Sequence, residues 1–277
     1  MTIRQAIADA TAQLSAAGIH SARVDAELLA AHAAGVDRGL LAVAEPDADF
    51  NGRYSALVGR RAQRIPLQHI IETAAFGPLI LHVGPGVFIP RPETEALLEW
   101  AQHQPLPADR VIIDLCTGSG ALALALARSR PAARVIAVED SADALRYADR
   151  NCRDSAVQLL RADVTAPDLL TELDGAVDLI VSNPPYIPLG AELDPEVAEH
   201  DPEHALFGGA DGMSVIGPIV TAAARLLRPG GRIGVEHDDT TSAATAELFV
   251  RSGAFTDVTA RHDLTGRPRF VTATRIG

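Results

Sequence analysis

The stretch Val111-Ile112-Ile113-Asp114-Leu115-Cys116-Thr117-Gly118-Ser119-Gly120 decides the architecture. Apart from one Asp, its first five residues are apolar and mostly β-branched, the composition of a strand buried on both faces. Gly118 and Gly120 then allow a tight turn and close approach of the backbone to a ligand, and Ala121–Arg130 continues as an apolar helical stretch. A strand, a glycine turn and a helix in that order open a doubly wound sheet. The alternation persists outward. Strand-like runs occur at Val111–Leu115, Arg134–Val138, Val157–Arg161, Asp178–Ser182, Arg232–Glu236, Phe255–Thr259 and Phe270–Arg275, with helical stretches such as Ala142–Asn151, Ser214–Leu227 and Thr241–Ser252 between most of them. This predicts an α/β fold over residues 91–277, with a doubly wound, mainly parallel sheet of seven strands.

Four positions along that sheet predict a cofactor site. Cys116, Thr117, Gly118, Ser119 and Gly120 form the first, but Leu122 stands two residues after Gly120, so the turn is not a G-x-G-x-x-G dinucleotide fingerprint. Its Thr/Ser lining fits S-adenosylmethionine better than a nicotinamide cofactor. Glu139, ending the second strand, can accept hydrogen bonds from both ribose hydroxyls; the plainer reading is a solvated charge shared with Asp140. Asp163, after the third strand, can accept from an adenine amino group while Val164 packs on the ring. Capping of the following turn is the competing role for Asp163. Asn183, after the fourth strand, is placed to touch both cofactor and substrate.

Asn183-Pro184-Pro185-Tyr186 carries the chemistry. Neither proline donates a backbone hydrogen bond, and each fixes its φ near −65°, so the strand before them stops in a stiff loop. Such a loop, at the carboxyl end of a strand where open α/β sheets bind ligands, can hold a planar NH2 group. The Asn183 side-chain oxygen and the Pro184 carbonyl accept its hydrogens, and Tyr186 walls the slot. These residues, with Pro185, are the expected catalytic and substrate-binding set for an amide or amino nitrogen. Proton loss after reaction goes to water, since no dedicated general base stands out.

Residues 1–72 read as a small helical domain for recognition. Ile3, Ile7, Ala10, Leu14 and Ala17 recur at helical spacing before a capping Gly18, and Ser21 is placed to N-cap a second helix. Arg60, Arg61 and Arg64 read as a solvated helix face. Residues 73–90 alternate β-type residues with Gly and Pro, which predicts a β-hairpin linker, and Arg91-Pro92-Glu93-Thr94-Glu95 opens the next helix.

Composition narrows the classes. At 277 residues, with 47% hydrophobic and 22% charged, the chain has an ordinary globular balance. Its net charge of −12, with all 24 basic residues Arg, disfavours nucleic acid as the main partner. No apolar run reaches the roughly 18 residues of a membrane span, and Met1–Asp9 lacks the apolar core of a signal peptide. Cys116 and Cys152 cannot build a disulfide framework, and no Cys/His cluster has zinc spacing. A cytoplasmic, metal-free protein is expected.

Glycine loop, ribose carboxylate and Asn-Pro-Pro-Tyr in this order resemble a class I S-adenosylmethionine-dependent methyltransferase acting on amino or amide nitrogen. Phe88-Ile-Pro-Arg-Pro-Glu-Thr-Glu95, Asp201-Pro-Glu-His-Ala-Leu-Phe-Gly-Gly-Ala-Asp-Gly212 and Asp263-Leu-Thr-Gly-Arg-Pro-Arg-Phe270 narrow the resemblance. Together they are similar to the peptide chain release factor N5-glutamine methyltransferases over essentially the whole chain. That resemblance implies S-adenosyl-L-methionine as cofactor and, as partners, bacterial class I release factors methylated on the glutamine of their Gly-Gly-Gln loop. The alternatives are a ribosomal-protein glutamine methyltransferase and a nucleic-acid N6-adenine methyltransferase. Two positions depart from the family: Cys116 stands where Gly is more frequent, and His69 where Tyr is common.

Overall fold

The computed structural model describes residues 2–106 and 109–277. Two compact units are present: the chain up to Thr73 together with Leu193–His200, and Ala74–Glu192 together with Asp201–Gly277. The first unit contains α1 (Ile3–Ala16), α2 (Ala22–Ala34), α3 (Phe50–Ala62) and α4 (Leu67–Ile71). Thr2 caps α1 by accepting from the Gln5 N–H, and Ile3, Ala6, Ile7, Ala10 and Leu14 form its buried stripe. The helix stops before Gly18, whose φ of 76° lets the Ile19 N–H turn back to the Leu14 carbonyl. Ser21 precedes α2 as expected, but its side chain makes no capping bond. Leu14, Ala26, Leu29, Ala30 and Phe50 make the centre of this core, and the Tyr54 hydroxyl donates to the Ala26 carbonyl at 2.9 Å.

In the second unit β1 (Thr73–Phe76) and β2 (Leu79–His82) pair as a two-stranded sheet. There follow α5 (Thr94–Gln102), β3 (Val111–Leu115), α6 (Ala121–Ser129), β4 (Arg134–Glu139), α7 (Ala142–Cys152), β5 (Gln158–Arg161) and β6 (Val177–Ser182). After α8 (Pro195–His200) come α9 (Glu203–Leu206), α10 (Ile216–Leu226), β7 (Leu227–Glu236), α11 (Ser242–Ser252), β8 (Phe255–His262) and β9 (Pro268–Arg275). Seven strands form one sheet in the order β5-β4-β3-β6-β7-β9-β8. β5 to β7 are parallel, and β9 pairs antiparallel with both β7 and β8. The two faces bury separate apolar clusters, one around Ile113, Ile180 and Ile233, the other around Ile112, Leu179 and Leu97. Alternate side chains of the same strands feed opposite faces, as the pleat requires.

Leu193–His200 lies far along the sequence yet folds with the N-terminal helices, so the stretch 91–277 is interrupted. The cause is electrostatic. Arg61 Nε donates to Asp25 at 2.7 Å and its Nη2 to Glu196 at 2.9 Å, while Arg64 reaches Asp194 at 3.3 Å. Arg61 is only 4% exposed. It is therefore not part of a solvated helix face: it is a buried cation that draws a carboxylate from α2 and another from α8.

Candidate active site

Strand register assembles the site. Leu115 pairs with Val138 on one side and Ser182 on the other, and Glu139 pairs with Arg161. The turns leaving β3, β4, β5 and β6 therefore emerge along one edge of the sheet. The strand order reverses between β3 and β6, which is where open α/β sheets leave a crevice. A cavity of about 330 Å³ opens there, lined by Cys116, Thr117, Gly118 and Ser119, by Glu139, by Asp163 and Val164, and by Asn183 to Tyr186. Gly120 does not reach its wall. It supports the turn from behind, with φ 84° and so little room that a Cβ would come 2.9 Å from Cys152 Sγ.

The glycine turn is held by carboxylates at both ends. Asp114, 1% exposed, accepts from the Thr117 hydroxyl at 2.5 Å and the Ala123 N–H at 3.1 Å, and burial pushes its carboxyl up to about 7. Glu139 accepts from the Gly118 N–H at 2.8 Å and the Ser141 N–H at 3.1 Å. At 8% exposed it is no solvated strand-end charge, and burial raises its carboxyl above the ordinary range. Asp163 accepts from both the Thr165 hydroxyl (2.7 Å) and the Thr165 N–H (2.8 Å) through one oxygen. These bonds hold its carboxyl below the ordinary range, so it does cap the following turn while also lining the cavity.

On the opposite wall the Ser182 hydroxyl donates to the Leu115 carbonyl at 2.7 Å, tying the end of β6 to the glycine turn. Asn183 Nδ2 donates to Thr94 Oγ1 at 3.1 Å, and Thr94 Oγ1 donates to Glu236 Oε2 at 2.8 Å. Burial raises the Tyr186 hydroxyl well above its ordinary range, offset in part by the Arg269 guanidinium beside it. The segment Asp201–Gly212 lies beneath this loop. The Ile187 N–H donates to the Leu206 carbonyl at 2.8 Å and the Gly208 N–H to the Ile187 carbonyl at 2.9 Å. A Cβ at Gly212 would fall 2.2 Å from the Tyr186 carbonyl, so only glycine permits that approach. A buried carboxylate beside a turn built from backbone, with a buried Val164 nearby, suits a nucleoside with free ribose hydroxyls.

Known proteins resemble this chain in sequence over nearly its whole length. Residues 5–71 match the PrmC N-terminal domain and residues 80–200 the methyltransferase small domain. The release factor glutamine methyltransferase of Mycolicibacterium smegmatis is 70% identical, over 99% of this chain and 98% of that one. The release factor glutamine methyltransferase of Mycobacterium tuberculosis H37Rv is 62% identical, over 100% and 93%. This chain belongs to the release factor glutamine methyltransferase family. Among solved structures, a methyltransferase from Pyrococcus furiosus shares the fold, with TM-score 0.55 and 18% identity over 79% of this chain and 99% of that one.

Membership in the release factor glutamine methyltransferases gives the departures a physical meaning. Cys116 has φ 61°, a left-handed conformation that strains any residue with a Cβ and favours the glycine that the resemblance leads one to expect there. His69 is buried in α4, 5% exposed. Sequence reading passed over Thr94, Glu236, Asp114 and His204. Thr94 and Asp114 lay inside stretches singled out for other reasons, and Glu236 registered only as the end of a strand. His204, whose Nε2 lies 2.6 Å from Asp140 at the cavity wall, likewise lies inside a singled-out stretch, Asp201–Gly212, but on a short helix with no spacing signal of its own.

Proposed function

We propose that this protein transfers a methyl group from S-adenosyl-L-methionine to the side-chain amide nitrogen (N5) of the glutamine in the Gly-Gly-Gln loop of bacterial class I peptide chain release factors. One observation carries the reading: a single cavity has the glycine turn on one wall and Asn183–Tyr186 on the other. The names of relatives matched over 93–98% of their length support a release factor glutamine as the substrate.

S-adenosylmethionine, when bound, supplies a methyl group on a positively charged sulfur and is already strongly electrophilic. The amide nitrogen is a poor nucleophile, because its lone pair is delocalised into the carbonyl, so the chain's task is positioning. Well-oriented reactants gain roughly 7–11 kcal/mol. Glu139 accepts from the ribose hydroxyls, and Cys116, Thr117, Gly118, Ser119 and Gly120 shape the turn around the cofactor. Asp163 and Val164 take the adenine. Asn183 Oδ1 and the Pro184 carbonyl accept the two hydrogens of the substrate NH2. Positive charge developing on nitrogen strengthens both bonds as reaction proceeds. Pro184 and Pro185 keep the loop stiff, and Tyr186 walls the slot. The nitrogen then releases one proton to water.

Mass spectrometry of a release factor peptide containing Gly-Gly-Gln, with and without the enzyme, tests this directly. The expected result is a gain of one methyl for hydrogen on that glutamine, with Asn183→Ala slowing transfer about 10²–10³-fold. Methylation of a ribosomal protein instead, or of nucleic acid alone, would sink the reading.

A further inference from the structure

A carboxamide has one edge that accepts and one that donates, and the two exchange by a half-turn about the last side-chain bond. Asn183 can receive a substrate NH2 only if its oxygen edge faces the cavity. Two residues distant in sequence control that choice. Asn183 Nδ2 lies 3.1 Å from Thr94 Oγ1, and Thr94 Oγ1 lies 2.8 Å from Glu236 Oε2. An ionised carboxylate accepts at both oxygens and donates at neither. The single hydroxyl proton of Thr94 is then committed to Glu236, which leaves only a lone pair for Asn183. A lone pair is met by Nδ2, so Oδ1 is the edge turned away from Thr94. Thr94 is 5% exposed and Glu236 1%, which shields the chain of bonds from competing water.

We infer that Thr94 and Glu236 are positioning residues, which set the polarity of the Asn183 carboxamide so that its oxygen meets the substrate nitrogen. This rests on the reading that Asn183 accepts from a glutamine amide. It also gives the Phe88–Glu95 segment a role, since Thr94 stands at the first turn of α5, held against the carboxyl end of β7. Burial pushes the Glu236 carboxyl up to about 8, eased by Thr94 and Arg269 and aggravated by Glu93 and Asp263; Tyr186 is the further titratable group that feels it. Once protonated, Glu236 can donate to Thr94, the threonine proton becomes free for Asn183, and the polarity is no longer fixed.

The test uses the full-length enzyme, a Gly-Gly-Gln release factor and three variants. Thr94→Val keeps the shape and removes the hydroxyl; kcat should fall about ten- to hundred-fold while KM for the cofactor stays unchanged. Thr94→Ser should restore most of kcat. Wild-type kcat should rise with pH through the ionisation of Glu236, and Glu236→Gln should flatten that limb. Independently of substrate, NMR should show slowed exchange of the Asn183 side-chain NH2 in wild type and Thr94→Ser, and fast exchange in Thr94→Val. Wild-type kcat in Thr94→Val, or an equally fast Asn183 amide in all three proteins, overturns the inference. A slowed Asn183 amide in an enzyme that leaves glutamine unmethylated supports the polarity and overturns the functional reading instead.

Discussion

The backbone N–H of Gly118 donates to Glu139 Oε2 across 2.8 Å, so one carboxylate joins the turn after β3 to the end of β4. Its other oxygen accepts from the Ser141 N–H at 3.1 Å. Glu139→Gln replaces one of these acceptors with an NH2 that faces a backbone donor. Hydrogen bonds to charged groups contribute about 1.5–3 kcal/mol, so titration calorimetry should show S-adenosylmethionine affinity reduced about ten- to hundred-fold. Unchanged affinity would remove Glu139 from the cofactor site.

Cys116 holds φ 61° while its side chain packs against the edge of the core cluster around Ile113 and Ile180. Left-handed backbone costs a residue with a Cβ about 1–2 kcal/mol, and glycine recovers this less about 0.5–1 kcal/mol of added unfolded-state entropy. Cys116→Gly should raise stability by up to about 1 kcal/mol in urea unfolding. A clear loss of stability would mean that the thiol packs more tightly than its backbone suggests.

Arg61 stands between Asp25 and Glu196 at 2.7 and 2.9 Å with almost no exposure. Removing it leaves two carboxylates without their cation. Breaking a buried pair costs about 3–5 kcal/mol, so Arg61→Ala should unfold the helical unit at lower denaturant. Hydrogen exchange should locate the loss in α2 and α3 while β3 to β7 stay protected. Uniform loss across both units would contradict this.

Two buried carboxyls give stability a pH dependence of definite sign. Asp114 titrates at about 7 and Glu236 at about 8 in the fold, against about 3.9 and 4.3 for free side chains. Between those values the folded state binds more protons than the unfolded state, so stability falls as pH rises. Their contribution is complete below about pH 4 and is lost by about pH 8. Glu236→Gln cannot ionise. Its melting temperature should therefore gain on the wild type between pH 5 and 8, and a constant difference would contradict the assignment. Stability and the ionised form of Glu236 thus pull in opposite directions, a known tension at active sites.

The parallel sheet was legible because its signals are local. β3 has the expected bounds, and β4 and β6 are longer by one residue, since buried parallel strands are apolar throughout and are punctuated by turn residues. The turns that line the cavity were legible for the same reason, because each directly follows a strand. Partners supplied from elsewhere were not legible. Thr94 meets Asn183 from 89 positions away and Glu236 from 142 positions beyond Thr94, and nothing in the local composition of either announces the meeting. Arg61 failed in the opposite way. Its neighbours Arg60 and Arg64 suggested a wet surface, whereas burial was decided by Asp25 and Glu196, far off in sequence.

The excursion of Leu193–His200 bears on how such a chain can be recombined. A cut at Thr73 does not release the helical unit whole, because Asp194 and Glu196 stay behind with the other fragment. A graft of the first 73 residues onto a related catalytic domain would arrive with Arg61 facing one acid in place of two. The transferable cassette is therefore split: swapping the N-terminal helices between relatives requires moving the eight residues from Leu193 to His200 with them.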